Sequence, residues 1–266
     1  METTLENKAR HMDVRCILFD LDNTLIQTRK GDAEACDKIA NDLRNRYQIS
    51  KDKATSICTS FLKNFRQCPE NTLMNLDTWR TLLWSQALGE QFRHDADKIY
   101  KKWLTQRYQH LALSKKLTIL LKNLRKKYQI GIITNGTSSA QWEKIDMLNI
   151  RDLFDIILVS GDLVCEKPDR RIFWKACDEL HVNPKHCLIV GDKLETDILG
   201  GVEAQLGGTV WVPLSRPFTL KQDDPVPDYV IHDVMELRWL LDDVADAEKG
   251  RFCPEDDCNS NGSDFS

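Results

Sequence analysis

The sequence predicts an α/β fold in which helices cover both faces of a parallel sheet and one helical domain is inserted. Two observations support this prediction. Short apolar runs alternate with segments of helical periodicity, and a single long stretch shows helical periodicity only. Strands that are buried on both faces are apolar along their whole length, and their alternation with helices is typical of parallel sheets. A chain of 266 residues can hold one large domain with a smaller insert.

Six apolar runs have the length and composition of strands. They are "CILF" at 16, "IGIIT" at 130, "FDIILVS" at 154, "CLIVGD" at 187, "TVWV" at 209 and "YVI" at 229. Between most of them apolar residues recur at helical spacing, as in the leucines of 117–124. The pattern predicts a Rossmann-like core formed by residues 1–27 and 114–244.

The insert is predicted to span residues 28–113. Three of its stretches each place apolar side chains on one helical face, and such faces can be buried only against one another. We therefore expect a small helical bundle. The three faces are formed by Cys36, Ile39, Ala40, Leu43 and Tyr47; by Ala54, Ile57, Cys58, Phe61, Leu62 and Phe65; and by Ile99, Tyr100, Trp103, Leu104, Tyr108 and Leu111.

The charge of the chain argues against a nucleic-acid partner. The chain has 37 basic and 41 acidic side chains, so its formal net charge of -4 gives no field for holding nucleic acid. Residues 245–266 are polar and acidic, which predicts a disordered tail. The composition gives no indication of the oligomeric state.

The predicted location is the cytoplasm. The first residues, "METTLENKARHMDVR", lack the apolar segment of a signal peptide, and no later run is apolar for long enough to span a bilayer. Most of the nine cysteines lie in apolar periodic segments, where a thiol behaves as a small buried hydrophobe. We therefore expect a soluble protein in a reducing compartment, without a membrane partner.

The candidate functional residues follow four of the predicted strands. In open parallel sheets, ligands bind beyond the carboxyl ends of the strands, so residues at these positions are expected to meet. They are Asp20, Asp22 and Thr24 after the first strand; Thr134, Asn135 and Gly136 after the second; Lys167 in "CEKPD" after the third; and Gly191, Asp192 and Asp197 in "GDKLETD" at the fourth.

Three of these residues, Asp20, Asp22 and Asp192, predict a metal site. Carboxylates that share one site repel each other, and burying them is costly unless a cation offsets their charge. Oxygen ligands are those that Mg²⁺ prefers. Lys167 adds a positive charge, and the hydroxyl of Thr134 can donate to a phosphate oxygen. The set predicts a Mg²⁺ site that accepts a phosphoryl group.

Each motif also has an ordinary structural interpretation. "DNT" is good helix-capping chemistry, "TNG" is a common turn, and "GDKLETD" could be a strand-to-helix turn with an acidic first turn. Lys167 alone could be a surface lysine before a proline. The order of the four motifs along the chain favours the functional interpretation.

In order and spacing, "DLDNT", "TNG", "EKPD" and "GDKLETD" resemble the haloacid dehalogenase-like superfamily of phosphohydrolases, over about 14–244. The resemblance implies that Asp20 is a nucleophile that becomes an aspartyl-phosphate. It also implies that Asp22 is the acid and base of the reaction, and that the insert is a cap that closes over the site and selects the substrate.

The resemblance also implies the remaining roles. Metal ligands would be Asp20, Asp22 and Asp192; the phosphate would be bound by Leu21, Asp22, Asn23, Thr134, Asn135 and Lys167; and Thr24 and Asp197 would support the site.

A narrower resemblance concerns the substrate. "FDLDNTLI", "TNGTSSAQWEKI", "VGDKLETDILGG" and "DDPVPDYV" are similar to the N-acylneuraminate-9-phosphatase family, which acts on a sialic acid 9-phosphate in sialic acid biosynthesis. Arg80, Arg107 and His110 of the insert are then candidates for meeting a sugar carboxylate. The alternatives are another small phosphomonoester, such as a nucleotide or phosphoglycolate, and a non-catalytic binding protein of the same fold.

Overall fold

The core is a six-stranded parallel sheet with the strand order β3-β2-β1-β4-β5-β6. The computed structural model describes residues 13–67, 74–215 and 217–241. The six predicted strands are confirmed. They are β1 Cys16–Phe19, β2 Gln129–Thr134, β3 Ile156–Val159, β4 Cys187–Gly191, β5 Gly208–Trp211 and β6 Tyr229–Val230.

Eight α-helices lie in the described residues. They are α1 Thr28–Tyr47, α2 Lys51–Phe65, α3 Leu76–Phe92, α4 Ala96–Leu111, α5 Lys115–Leu124, α6 Ser138–Met147, α7 Arg170–Glu179 and α8 Leu199–Glu203. A single turn of π-helix, Leu194–Ile198, leads into α8.

Strand β1 lies at the centre of the sheet, hydrogen-bonded to β2 on one side and to β4 on the other. Its alternate residues enter two different apolar clusters. Ile17 and Phe19 pack on the α5 side, whereas Cys16 and Leu18 pack on the α7 side. Helices therefore cover both faces, and the predicted α/β class with a Rossmann-like core is confirmed. The carboxyl end of β1 lies between the ends of β2 and β4, where the candidate residues converge.

Helices α1–α4 pack around an apolar cluster of their own. At its centre Phe61 stacks on Trp84 with ring centroids 3.9 Å apart, and Trp103 meets the same ring edge-on with centroids 4.8 Å apart. Aromatic pairs in these arrangements are stabilising beyond the area they bury. The aromatic residues of the insert thus form its core.

The sequence analysis did not assign α3 or α6. The apolar pattern of α3 is blurred because Leu82 is 42 % exposed while Arg80, on the buried side, is only 1 % exposed. Helical periodicity is a weak signal when a charged side chain lies on the buried face.

Two sequence predictions concern regions away from the core. The predicted disordered tail, 245–266, lies outside the described residues. Within the described ranges, none of the helices combines the length and the apolarity that crossing a bilayer requires.

Replacing Phe61 with alanine should destabilise the bundle. The side chain is fully buried between two tryptophans, so its loss leaves a cavity that costs about 3–5 kcal/mol. Urea denaturation followed by tryptophan fluorescence measures the change in the free energy of unfolding. Leu82→Ala, at an exposed position of α3, is the control and should change it by less than about 1 kcal/mol. Equal losses in both variants would contradict the assignment of Phe61 to the core.

Candidate active site

A tight turn after β1 places the first group of candidate residues. The carbonyl oxygen of Leu21 accepts hydrogen bonds from the N–H groups of Leu25 and Ile26, both at 3.1 Å. Asn23 adopts a left-handed conformation with φ 68°, which asparagine tolerates better than most residues. Its side-chain oxygen accepts from the N–H of Arg29 at 2.9 Å and so ties the turn to α1. The turn sets Asp20 and Asp22 at the carboxyl end of the sheet.

The ammonium group of Lys167 binds two carboxylates that follow different strands, Asp20 after β1 and Asp197 after β4. Its Nζ lies 2.6 Å from Oδ1 of Asp20, 2.7 Å from Oδ1 of Asp197 and 2.8 Å from the carbonyl oxygen of Ile133. Thr24 donates to the other oxygen of Asp20 at 3.2 Å. Lys167 is 2 % exposed, so it belongs to the site and is not a surface lysine.

Burial sets the electrostatics of this group. For Lys167, burial by itself would lower the pKa, but the adjacent Asp197 and Asp20 raise it above its usual value. Burial raises the pKa of Asp20 to about 7, against the opposing effect of Lys167 and with a further increase from Asp197. One cation is thus shared among more carboxylates than it can neutralise.

Asp192 is buried with its carboxylate unpaired. Trp211 donates from Nε1 to its main-chain oxygen at 2.9 Å, which fixes the backbone. Neither carboxylate oxygen has a hydrogen-bond partner among the described residues. Burial raises the pKa of Asp192 to about 6, and Asp197 adds to the increase. Buried carboxylate oxygens without a donor are suited to binding a metal cation.

Asp20, Asp192 and Asp197 each contribute one carboxylate oxygen to a group whose atoms lie within 4.8 Å of one another. This all-oxygen donor set fits a hard divalent cation such as Mg²⁺. Asp197 also accepts from the N–H of Lys193 at 3.0 Å. It packs against Gly191 so closely that a Cβ there would lie 2.3 Å from its carboxyl carbon. Only glycine at 191 leaves room for this carboxylate.

The carboxylate of Asp22 has a different set of partners. Lys144 approaches its two oxygens at 2.7 and 2.6 Å, Gln141 donates to one of them at 3.0 Å, and Thr28 donates to the other. Burial alone would raise the pKa of Asp22, but Lys144, Thr28 and Gln141 together hold it below its usual value. Asp22 is therefore ionised at neutral pH.

The sequence analysis did not single out Lys144 or Gln141. Both lie on α6, three residues apart and so on one helical face, directly after the "TNG" motif. That spacing was the available signal. It could not be interpreted without knowing which face of α6 turns towards β1.

Thr134, the last residue of β2, and Asn135, which follows it, have separate roles. The hydroxyl of Thr134 is buried and has no partner within the described part of the chain, so it is free to donate to a ligand. Asn135 instead binds the backbone of Lys167: its Nδ2 donates to the carbonyl oxygen at 2.8 Å, and its Oδ1 accepts from the N–H at 3.0 Å. The side chain of Asn135 therefore orients Lys167.

The three polar candidates of the insert are bonded to acidic side chains of the protein. Their partners lie on helices α1 and α6. Arg80 pairs with Glu143 at 2.7 Å, Arg107 with Asp32 at 2.6 Å and His110 with Glu34 at 2.7 Å.

Asn135→Ala should lower both stability and activity. The substitution removes both bonds to the backbone of Lys167, and leaving such groups unpaired costs about 1–3 kcal/mol each when they are buried. Thermal unfolding and phosphatase assays measure the two effects. Asn123→Ala, at an exposed asparagine whose side chain accepts a hydrogen bond from the exposed Lys126, is the matched control. Unchanged activity in Asn135→Ala would show that Lys167 needs no such support.

Comparison with known proteins identifies the family. Residues 17–210 match the family model of the haloacid dehalogenase-like hydrolases. N-acylneuraminate-9-phosphatase of Homo sapiens is 36 % identical over 239 residues, which cover 87 % of this chain and 95 % of that protein. Glyceraldehyde 3-phosphate phosphatase of Pyrococcus furiosus is 29 % identical over 235 residues, with coverage of 86 % and 93 %.

A solved structure agrees with these matches. The HAD hydrolase YfnB of Bacillus subtilis, bound to magnesium, superposes with a TM-score of 0.57 at 25 % identity, covering 86 % of this chain and 98 % of that one. Together with the convergence of the four motifs at the carboxyl end of the sheet, the matches show that this chain belongs to the haloacid dehalogenase-like hydrolases, among their phosphoric monoester hydrolases.

Proposed function

We propose that the chain is a Mg²⁺-dependent phosphatase that hydrolyses a sugar phosphate through an aspartyl-phosphate on Asp20. The observation that carries this proposal is the cluster of Asp20, Asp192 and Asp197, in which the ammonium group of Lys167 pairs with Asp20 and Asp197. Such a cluster combines a nucleophile with the positive charge that a dianionic phosphoryl group requires.

Asp20 is suited to attack phosphorus. Lys167 holds one of its carboxylate oxygens and Thr24 the other, so its orientation is fixed before the substrate binds. A covalent intermediate divides one high barrier into two lower ones. Lys167, the free hydroxyl of Thr134 and the backbone N–H groups of residues 21, 22 and 135 would bind the phosphoryl oxygens. Asn23 stays a proposed part of this site, although its N–H donates to the carbonyl oxygen of Ile26 at 2.6 Å.

Mg²⁺ would be held by Asp20 and Asp192, and Asp197 belongs to the same cluster. When bound, the ion neutralises the charge of the carboxylates and of the phosphoryl oxygens. Asp22 stays a proposed ligand, although its carboxylate oxygens are bonded to Lys144.

Asp22 would move the protons. Its ionised state beside Lys144 is the form that accepts a proton from the attacking water in the second step. The first step needs the protonated form, in which one oxygen carries the proton for the leaving alcohol while Lys144 would keep its bond to the other oxygen.

We further propose N-acylneuraminate 9-phosphate as the substrate, which would place the enzyme in sialic acid biosynthesis. The support is the 36 % identity with the human enzyme over nearly its whole length. The alternative is another small phosphomonoester, which the similarity to a glyceraldehyde 3-phosphate phosphatase favours. We propose the cytoplasm as its location, because six cysteines of the described residues are free thiols, as reducing compartments favour.

Asp20→Asn should abolish phosphate release and leave the fold intact. The amide keeps the size of the side chain but is a poor nucleophile, so activity should fall by at least about 10³-fold. Malachite-green assays measure release, and circular dichroism checks the fold. Asp37→Asn, on the exposed side of α1, is the matched control and should keep full activity. Substantial turnover by Asp20→Asn would refute the covalent mechanism.

A screen of phosphorylated metabolites, with and without Mg²⁺, tests the substrate and the ion. N-acetylneuraminate 9-phosphate should have the highest kcat/KM, and chelation should remove activity on every compound because the carboxylate cluster needs a cation. A preference for nucleotides or phosphoglycolate would replace the proposed substrate. Full activity in EDTA would refute the metal requirement.

A further inference from the structure

Glu143, on α6 of the core, binds two helices of the insert. Nη1 of Arg80, on α3, donates to both carboxylate oxygens at 2.8 and 2.7 Å, and the hydroxyl of Tyr108, on α4, donates to Oε1. Among the described residues, the side-chain hydrogen bonds from α3 and α4 to the core end on this carboxylate. Glu143 is thus a point of attachment between the insert and the core.

The same helix holds Asp22. Lys144 follows Glu143 in sequence, and Gln141 lies three residues before Lys144; both donate to the Asp22 carboxylate. Successive residues of a helix are separated by about 100°, so one face of α6 can meet the insert while the adjacent face meets Asp22. A movement of α6 that follows the insert would therefore displace the groups that hold Asp22.

The attachment is well matched in charge. The side chain of Arg80 is 2 % exposed and that of Glu143 21 %, so the ion pair is largely shielded from water. Burial and the negative charge of Glu143 both raise the pKa of Tyr108, so its hydroxyl remains a donor. Removing the carboxylate would leave a buried guanidinium group without its partner, which is far less favourable than the intact pair.

We propose that Glu143 is a positioning residue: by binding Arg80 and Tyr108 it fixes α6 and so holds Lys144 and Gln141 against the carboxylate of Asp22. This inference rests on the proposed function, in which Asp22 transfers protons. Through Glu143, the position of the insert relative to α6 would affect the orientation of Asp22, the group that protonates the leaving alcohol.

The test uses phenyl phosphate and 4-nitrophenyl phosphate, which are similar in size but differ in leaving group. Phenolate needs protonation when it leaves, whereas nitrophenolate is stable without it. In Glu143→Gln, kcat/KM should fall about 10-fold for phenyl phosphate and by less than about 3-fold for 4-nitrophenyl phosphate. General acid catalysis contributes ~10²–10⁴-fold, and misplacing the acid loses part of that.

Asp146→Asn is the matched control. Asp146 lies on the same helix, is exposed and pairs with Arg151 at 2.8 Å on the surface, so both substrates should be unaffected. Equal losses on the two substrates in Glu143→Gln would indicate a merely structural role, and no loss would indicate no role. Either result overturns the inference.

A second variant covers poor folding of Glu143→Gln. Tyr108→Phe removes one hydrogen bond to Glu143 and keeps the ring, so it should show the same unequal loss with a smaller amplitude. Failure of the proposed phosphatase function would give a different experimental result. The wild-type protein would then release no phosphate from either compound in an Asp20-dependent way, and the inference would fall with it.

Discussion

The arrangement of side chains at the carboxyl end of the sheet depends on the ion pairs that the ammonium group of Lys167 forms with Asp20 and Asp197. Without this group, Asp20 and Asp197 would be two buried carboxylates in mutual repulsion, which is an unfavourable arrangement. With it, they can stay close together, and Asp192 adds a further carboxylate whose oxygens have no described partner. The remaining excess of negative charge is of the kind that a divalent cation can offset.

The parallel order of the strands explains how much of the site the sequence predicted. Asp20, Thr134, Lys167 and Asp192 are far apart in the chain, but each follows a strand of one sheet, and the carboxyl ends of parallel strands meet at one edge. The motifs therefore predicted which residues meet. The same reasoning predicted the α/β class, because alternation of strands and helices is a property of the whole chain.

The contacts that depend on helix orientation were beyond such reasoning. Lys144 and Gln141 reach Asp22 because of the rotation of α6 about its axis, which only the packed structure fixes. Asn135 lies in a predicted motif, yet its side chain binds the backbone of Lys167, a partner that depends on the path of a distant loop. The indole of Trp211, which fixes the backbone of Asp192, belongs to a strand whose apolar pattern gave no functional signal.

The separate apolar core of helices α1–α4 has an evolutionary consequence. The packed rings of Phe61, Trp84 and Trp103 share no apolar cluster with the sheet in the described part of the chain, so substitutions among them spare the apolar core beneath the strand ends. Selection can therefore remodel the insert while the chemistry of the sheet is retained. Descendants of one ancestral catalyst could in this way have acquired preferences for different metabolites.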